Sequence, residues 1–271
     1  MLPGLLRFTR PHGRLALGGL VAGAALFALS WWDVLPGGWT LRGWVEPHAV
    51  REQRAREQHA RERLEHFEEA NRGSRAEPIV FAGSSTIERF PLDDLFPGVG
   101  AHNRGIGDEP CEAFLERLAA STPDQHPSAW VLYLASVDFR RLNASPEQVQ
   151  QRVGQVLNQL KVADRQVRLF LIGILPEQDM SEDMKSRLVE TNALLADLCV
   201  MPDCVFVDTA RPPITAADGS LAPGFAVDRL HLNRRGYGVL AEWLVEASPF
   251  LADRLRPVRK SPEEGEPSTG D

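Results

Sequence analysis

The sequence predicts an α/β fold in which a parallel sheet is covered by helices on both faces. From residue 79 onward, short apolar runs alternate with longer segments whose apolar residues recur at helical spacing. The short runs are rich in β-branched residues and lack a polar face, which is typical of buried strands. Strands that alternate with helices in this way form βα units, and the strands of such units run parallel.

Individual elements follow from local patterns. Four buried strands are predicted over residues 79–82, 129–134, 167–175 and 205–207. One helix begins at Ser145, which is followed by a proline and, three positions on, by Gln148, the pattern of a capping box. Residues 183–198 form a second helix, and Asn233 caps a third that continues through Leu244.

The amino-terminal residues predict a membrane anchor. Residues 1–14 form a basic segment that contains three arginines and no acidic residue. Residues 15–32 carry no charge and meet the lower length limit of a helix that spans a bilayer. Trp31 and Trp32 lie where an interfacial aromatic belt is expected. The arginines predict that this end stays in the cytoplasm and that the rest of the chain is exported.

Two other interpretations of this segment stay open. A cleavable signal peptide has the same basic start and apolar middle, but Ala28 and Ser30 make a poor cleavage site because Trp31 follows. A buried core helix would have a polar face, and this segment has none. We favour a retained anchor.

The remaining boundaries follow from composition. Residues 33–75 are expected to form a turn-rich juxtamembrane segment and a solvated, charged helix, whose Leu64 and Phe67 dock on the domain. Residues 76–258 are expected to form that domain, and residues 259–271 a disordered tail.

Charge and cysteine usage exclude some classes of protein and leave one question open. The net charge of −7 argues against a nucleic-acid binder, which would show a basic stripe. The three cysteines, Cys111, Cys199 and Cys204, do not have the spacing of a metal site. In an oxidising compartment Cys199 and Cys204 could pair, and two unrelated buried thiols are the alternative.

Hydroxyl side chains follow the first predicted strand. Gly83 ends the apolar run, and Ser84, Ser85 and Thr86 come next. In open parallel sheets ligands bind at the carboxyl ends of the strands, so this turn could present a serine as a nucleophile. Taken alone, the pattern is more typical of residues that cap the next helix.

An aspartate and a histidine precede the last predicted helix. Asp228 and His231 lie three residues apart in a loop, so both can face one site. The carboxylate can orient the imidazole, which can then take a proton from a serine hydroxyl. An ordinary surface loop in which His231 is solvated would have the same residues.

Together these motifs resemble the SGNH, or GDSL, hydrolase superfamily of serine esterases and acyl transferases. The family's first block is Gly-Asp-Ser, which Gly83 and Ser85 match, with Ser84 in place of the aspartate. Its last block, Asp-x-x-His with a later Gly-Tyr, matches here at Asp228, Leu230, His231, Leu232, Gly236 and Tyr237. Residues 103–108 resemble the second block, Asn-x-Gly-x-Gly-Gly.

The resemblance implies a five-stranded parallel sheet in a flavodoxin-like order and a catalytic triad of Ser85, Asp228 and His231. It further implies that the backbone amides of Ser85 and Gly107 hold the oxyanion, helped by Arg104, Arg140 or Arg141. Without a gap in the alignment, Asp108 instead of Gly107 occupies the position of the block's last glycine. No metal or organic cofactor is implied.

One departure from the family affects catalysis directly. The third block of active relatives is Gly-x-Asn-Asp, and its asparagine donates to the oxyanion. This chain has Val137 at that position, and valine cannot donate a hydrogen bond.

The expected function is that of a membrane-anchored, exported esterase or O-acyl transferase, acting on an ester, such as an acetyl ester, of an envelope glycan or lipid. Its domain lies on the periplasmic or extracellular side. The alternative, suggested by Val137, is a catalytically degraded domain that binds a glycan or a protein.

Overall fold

The structure is a computed structural model, and it describes residues 47–72, 77–200 and 203–255. The predicted basic segment, the anchor at 15–32 and the tail at 259–271 lie outside these ranges. Within the described ranges, no helix has the length and apolar character needed to cross a bilayer.

The chain divides into two compact units, with the boundary between Glu57 and Gln58. Helix α1, His48–Asn71, runs through this boundary and corresponds to the charged helix predicted from the sequence. The first unit contributes residues 47–57 to the described structure. The second unit contains the rest of α1 and all of the sheet.

The second unit contains a five-stranded, entirely parallel sheet in the order β2-β1-β3-β4-β5. The sequence-based prediction of a five-stranded parallel sheet in this order is therefore confirmed. The strands are β1 Ile79–Gly83, β2 His102–Gly105, β3 Ala129–Tyr133, β4 Arg168–Ile172 and β5 Cys204–Val207. Strand β2 was not predicted individually, because His102, Asn103 and Arg104 interrupt the apolar pattern that marks the other four.

Helices connect the strands and cover both faces of the sheet. They are α2 Ser85–Glu88, α3 Leu92–Leu95, α4 Cys111–Glu116, α5 Leu118–Ser121, α6 Ser136–Arg140, α7 Pro146–Ala163, α8 Glu182–Asp197, α9 Arg234–Ala247 and α10 Pro249–Arg254. The capping box at Ser145 and Gln148 is present at the start of α7, as predicted. The Asn233 side chain accepts a hydrogen bond from the Gly236 amide and caps α9, also as predicted.

Alternation along the strands divides the apolar residues between two cores. Val80 and Ala82 of β1 face the core beneath α4, α7 and α8, whereas Ile79 and Phe81 face the core beneath α2, α3 and α9. The sheet is buried on both faces, which explains why the four strands other than β2 read as apolar runs without a polar side.

The second half of α1 packs on the edge of the sheet through Phe67. That ring is fully buried, and Arg63 and Arg104 lie over it at 4.8 and 4.9 Å from its centre. Asn71 accepts a hydrogen bond of 2.6 Å from Arg104 and donates to two backbone carbonyls near α5. The predicted docking through Phe67 is therefore observed, while Leu64 is only half-buried.

A disulfide joins Cys199 to Cys204, between the end of α8 and the start of β5. Of the two possibilities left open by the sequence, the structure contains the pairing. Cys111 is a buried free thiol at the start of α4.

We expect Gly83→Ala to be one of the most destabilising substitutions in the chain. Gly83 has φ of +139°, and a Cβ at this position would lie 2.0 Å from the Tyr133 carbonyl oxygen of the neighbouring strand. The atom that the Cβ would overlap is a backbone oxygen in the middle of the sheet and cannot move aside, so we expect a loss of about 4 kcal/mol or more in the free energy of unfolding, measured by urea denaturation. Gly238→Ala is the matched control, because nothing lies within 4 Å of its Cβ position in α9. Equal stabilities of the two variants would contradict the prediction.

Candidate active site

Ser85 lies at the carboxyl end of β1, at the first position of α2. Gly83 ends the strand, and the Ser84 amide donates to the Tyr133 carbonyl oxygen, 3.3 Å away. The Ser84 hydroxyl lies 2.9 Å from the hydroxyl of Ser136, which begins α6. This contact joins the turn after β1 to the turn after β3, so the two turns lie side by side at the carboxyl end of the strands.

His231 and Asp228 lie at the same end of the strands, in the loop before α9. Asp228 Oδ1 accepts hydrogen bonds of 2.8 Å from the backbone amides of Leu230 and His231. These bonds curl the loop around the carboxylate, an arrangement for which aspartate is well suited. The loop therefore places the carboxylate and the imidazole of this four-residue motif next to each other.

The three side chains predicted from the sequence form one continuous hydrogen-bonded chain. Ser85 Oγ lies 3.0 Å from His231 Nε2. On the other side of the ring, His231 Nδ1 lies 2.8 Å from Asp228 Oδ2 and 3.0 Å from Oδ1. This is the arrangement in which a base can activate a serine hydroxyl while a third group orients the base.

The electrostatics of Asp228 fix the tautomer of the imidazole. Partial burial favours the neutral acid, but hydrogen bonds from the Leu230 amide, the His231 amide and the His231 ring outweigh it and lower the pKa of Asp228 to about 2. An ionised carboxylate only accepts hydrogen bonds, so Nδ1 of His231 carries the proton. Nε2 then presents its lone pair to the hydroxyl of Ser85.

Tyr237 holds the two halves of this arrangement together. Its hydroxyl, in α9, donates a hydrogen bond of 3.0 Å to the carbonyl oxygen of Thr86, the residue after Ser85. Burial raises the pKa of Tyr237, so the hydroxyl keeps its proton as a donor. The Gly-Tyr pair of the last sequence block therefore anchors the helix that carries Ser85 to the helix that follows His231.

The segment after β2 passes close to Ser85. A Cβ built on Gly107 would lie 3.8 Å from the Cβ of Ser85. In the structure the Gly107 amide donates a hydrogen bond of 2.5 Å to Glu88 Oε2. Asp108 follows with φ of +63°, a conformation that favours glycine, and its carboxylate forms an ion pair with Arg141. This agrees with Asp108 occupying the position of the block's last glycine.

Val137 lies in α6, directly after the Ser136 that contacts Ser84, and it is buried. Asp138 is buried too, and it accepts from the Cys111 amide at 2.9 Å and from Arg152 at 2.7 Å. The aspartate of the third block thus fastens α4 and α7 to α6.

The three arginines named as possible helpers at the oxyanion have different positions. Arg104 is buried beneath α1, where it donates to Asn71 and to the Ser121 carbonyl, so it has a structural role. Arg140 donates to the Leu175 carbonyl, 2.5 Å away. Arg141 pairs with Asp108 and remains next to the segment that passes Ser85.

Two residues beside the site, Glu88 and His59, belong to no motif that the sequence shows. Glu88 lies one helical turn after Ser85, and its carboxylate contacts His59 of α1 at 2.6 Å as well as the Gly107 amide. The spacing of Glu88 from Ser85 is the one sequence signal that could have placed Glu88 beside the site. Nothing in the sequence pairs Glu88 with His59. Within the described ranges, no cluster of three or more His, Cys, Asp or Glu side chains could hold a metal ion.

Comparisons with solved structures identify the fold. A provisionally assigned platelet activating factor from Streptococcus pneumonia has a TM-score of 0.65 at 21% identity, covering 74% of this chain and 99% of that chain. A GDSL-like lipase from Bacteroides thetaiotaomicron has a TM-score of 0.56 at 18% sequence identity, and the match covers 68% of this chain and 96% of that chain. An acetyl xylan esterase has a TM-score of 0.52 at 14% sequence identity, and the match covers 63% of this chain and 98% of that chain. No match was found among curated proteins.

A family model provides the assignment. The model of the GDSL-like lipase/acylhydrolase family matches residues 88–239. The match begins three residues after Ser85 and includes Asp228 and His231. Because it spans more than half of the sequence, the chain belongs to the GDSL-like lipase/acylhydrolase family of ester hydrolases.

Proposed function

We propose that this protein is a serine esterase or O-acyl transferase in which Ser85 is the nucleophile, His231 the general base and Asp228 the residue that orients the base. The observation that carries the proposal is the chain of contacts from Ser85 Oγ to His231 Nε2 and from His231 Nδ1 to Asp228. Its hydroxyl, imidazole and carboxylate are the groups that covalent catalysis of acyl transfer needs.

The steps follow from these contacts. Ser85 Oγ attacks the ester carbonyl carbon while His231 Nε2 takes the hydroxyl proton, and the ionised Asp228 stabilises the imidazolium. His231 then returns the proton to the leaving alcohol, which leaves an acyl group on Ser85. In hydrolysis water attacks the acyl-enzyme, and in acyl transfer a second alcohol does so. His231 Nε2 takes the proton of this attacking group and returns a proton to Ser85 Oγ as the acyl group leaves.

The developing oxyanion needs donors, and we propose backbone amides for this role. We choose the Ser85 amide and the amides of the segment at Gly107 and Asp108, because this segment passes close to the nucleophile: a Cβ on Gly107 would lie 3.8 Å from the Ser85 Cβ. Gly107 is the sequence-based candidate, although its amide donates to Glu88 in the structure. Val137 supplies no side-chain donor, so the hole has fewer donors than in relatives with asparagine.

A fluorophosphonate probe tests the proposal directly, because it reacts only with a serine activated by a neighbouring base. We expect the full-length protein to be labelled and Ser85→Ala to remain unlabelled. Ser84→Ala is the matched control, since Ser84 faces Ser136 and should not be needed for labelling. Labelling that survives in Ser85→Ala would refute the assignment of the nucleophile.

For the substrate we propose an acetyl or other small acyl ester on an envelope glycan or lipid. The acetyl xylan esterase that shares this fold supports an acetyl ester as the class of substrate. The export of the domain, proposed below, supports a substrate in the cell envelope. Val137 is the one observation that favours the second candidate, a degraded domain that binds a glycan or a protein without turnover.

We further propose that residues 15–32 anchor the chain and that the domain is exported. The Cys199–Cys204 disulfide supports this location, because disulfides persist in oxidising compartments. Alkaline phosphatase fused after residue 73 should be active and should sediment with membranes. Activity in the soluble exported fraction would favour cleavage of the segment, and an inactive fusion would contradict export.

Arg141 offers a prediction about the charge beside the oxyanion. Its guanidinium neutralises the Asp108 carboxylate, which would otherwise repel the negative charge that develops in the transition state. Both side chains are partly exposed, so we expect Arg141→Ala to lower kcat by only about tenfold or less. In an Asp108→Gly background the same change should have little effect. An equal loss in both backgrounds would show that Arg141 acts in another way.

A further inference from the structure

Glu88 connects helix α1 to the backbone beside Ser85. Its Oε1 lies 2.6 Å from His59 Nε2, and its Oε2 accepts the Gly107 amide at 2.5 Å. The Glu88 side chain is 21% exposed, so these contacts are only partly screened by solvent. A carboxylate that accepts two short hydrogen bonds holds both donors in fixed positions.

The Gly107 backbone is held closely by this carboxylate. A Cβ on Gly107 would lie only 2.8 Å from Glu88 Oε2, so glycine lets the backbone approach the carboxylate. The same position is 3.8 Å from the Ser85 Cβ. Glu88 therefore sets the separation between the nucleophile's helix and the segment that passes beside it.

Helix α1 reinforces the same region. Arg63 Nε donates to the Gly105 carbonyl at 3.0 Å, two residues before Gly107, and lies 3.9 Å from Glu88 Oε1. His59 and Arg63 are four residues apart, so they lie on one face of the helix. This face contacts both the end of β2 and the carboxylate that holds Gly107.

We propose that Glu88 and His59 are positioning residues for the reaction, an inference that rests on the serine mechanism proposed above. Glu88 accepts the Gly107 amide and so fixes the backbone of this segment, which keeps the next amide, that of Asp108, available to the oxyanion, and His59 fixes the Glu88 carboxylate. Neither residue touches the substrate. Displacements of about 1 Å in such supporting groups cost up to about 10²-fold in rate, because the transition state depends on alignment.

Kinetics of the full-length protein separate positioning from other roles. We expect Glu88→Leu to lower kcat towards a small activated ester by about 10–100-fold while KM changes little. Glu88→Gln keeps an acceptor for the Gly107 amide and should restore most of the rate. His59→Leu should produce a smaller loss of the same kind, and His66→Leu, on an exposed position of α1, should produce none. Higher activity in Glu88→Leu, or no rescue by glutamine, would overturn the proposal.

An amide signal gives a readout that does not depend on turnover. Labelling with ¹³C-carbonyl isoleucine and ¹⁵N-glycine selects the two Ile-Gly pairs of the sequence, which contain Gly107 and Gly173. The Gly107 proton should resonate at low field and move to high field in Glu88→Leu, whereas Gly173, which donates to the Val207 carbonyl, should stay unchanged.

The two readouts distinguish the two proposals. If the parent protein has Ser85-dependent turnover but the Gly107 signal does not move, the inference about Glu88 fails alone. If the signal moves but the parent has no Ser85-dependent turnover, the proposed function fails, and the positioning role fails with it.

Discussion

Ser85→Ala and His231→Ala should each reduce ester turnover by about 10³-fold or more. The hydroxyl is the atom that bonds to the acyl group, and the imidazole is the base within 3.0 Å of it, so neither can be replaced by its neighbours. Removal of any one member of such a triad leaves only the residual catalysis of substrate binding and the oxyanion hole. The measurement is kcat/KM towards a small activated ester.

Two comparisons make this result specific. The double variant of Ser85 and His231 should be hardly slower than either single variant, because the two residues act as a unit. Asp228→Asn should also be strongly impaired, since an amide cannot stabilise the imidazolium as the ionised carboxylate does. Additive losses in the double variant would mean that the two side chains serve separate reactions.

Val137→Asn should increase turnover. The amide would supply a donor at the position where active relatives carry one, and one donor in an oxyanion hole is worth about 10²–10³ in kcat. We expect a smaller gain, because the buried surroundings of Val137 are not shaped to orient an amide. The measurement is kcat, with KM followed separately.

Val137→Thr is the matched control, since it introduces a polar group of the same shape but with a shorter reach. Adding Ser85→Ala should remove both the original and the added activity. If native activity survives in Ser85→Ala, the triad does not perform the reaction. If neither the parent protein nor Val137→Asn has Ser85-dependent turnover, the binding-domain alternative replaces our proposal.

The triad could be located from the sequence because its chemistry is local. Asp228 and His231 lie three residues apart in one loop, and Ser85 follows a glycine at the end of an apolar strand. Each motif alone has an ordinary structural explanation, and the resemblance to the SGNH superfamily is what joined the two into one site. Local patterns predicted four strands and the caps of α7 and α9.

Other features depend on contacts between distant parts of the chain. The polar strand β2 is stabilised by pairing with β1, and no periodicity marks it. Arg104 is buried because Asn71 and Phe67 of α1 cover it, and a lone arginine near a motif gives no sign of this. The contact of Glu88 with His59 joins residues 29 positions apart and was invisible for the same reason.

The position of α1 along β2 has a consequence for the behaviour of shortened proteins. Strand β2 is an edge strand of the sheet, so no neighbouring strand pairs with the outward-facing carbonyls of Asn103 and Gly105. Arg63 donates to both, and the Asn103 side chain accepts the Gly105 amide. Cutting the chain after α1 would uncover this edge together with the apolar surface under Phe67. An open edge of this kind recruits strands from other molecules, so the shortened domain should self-associate.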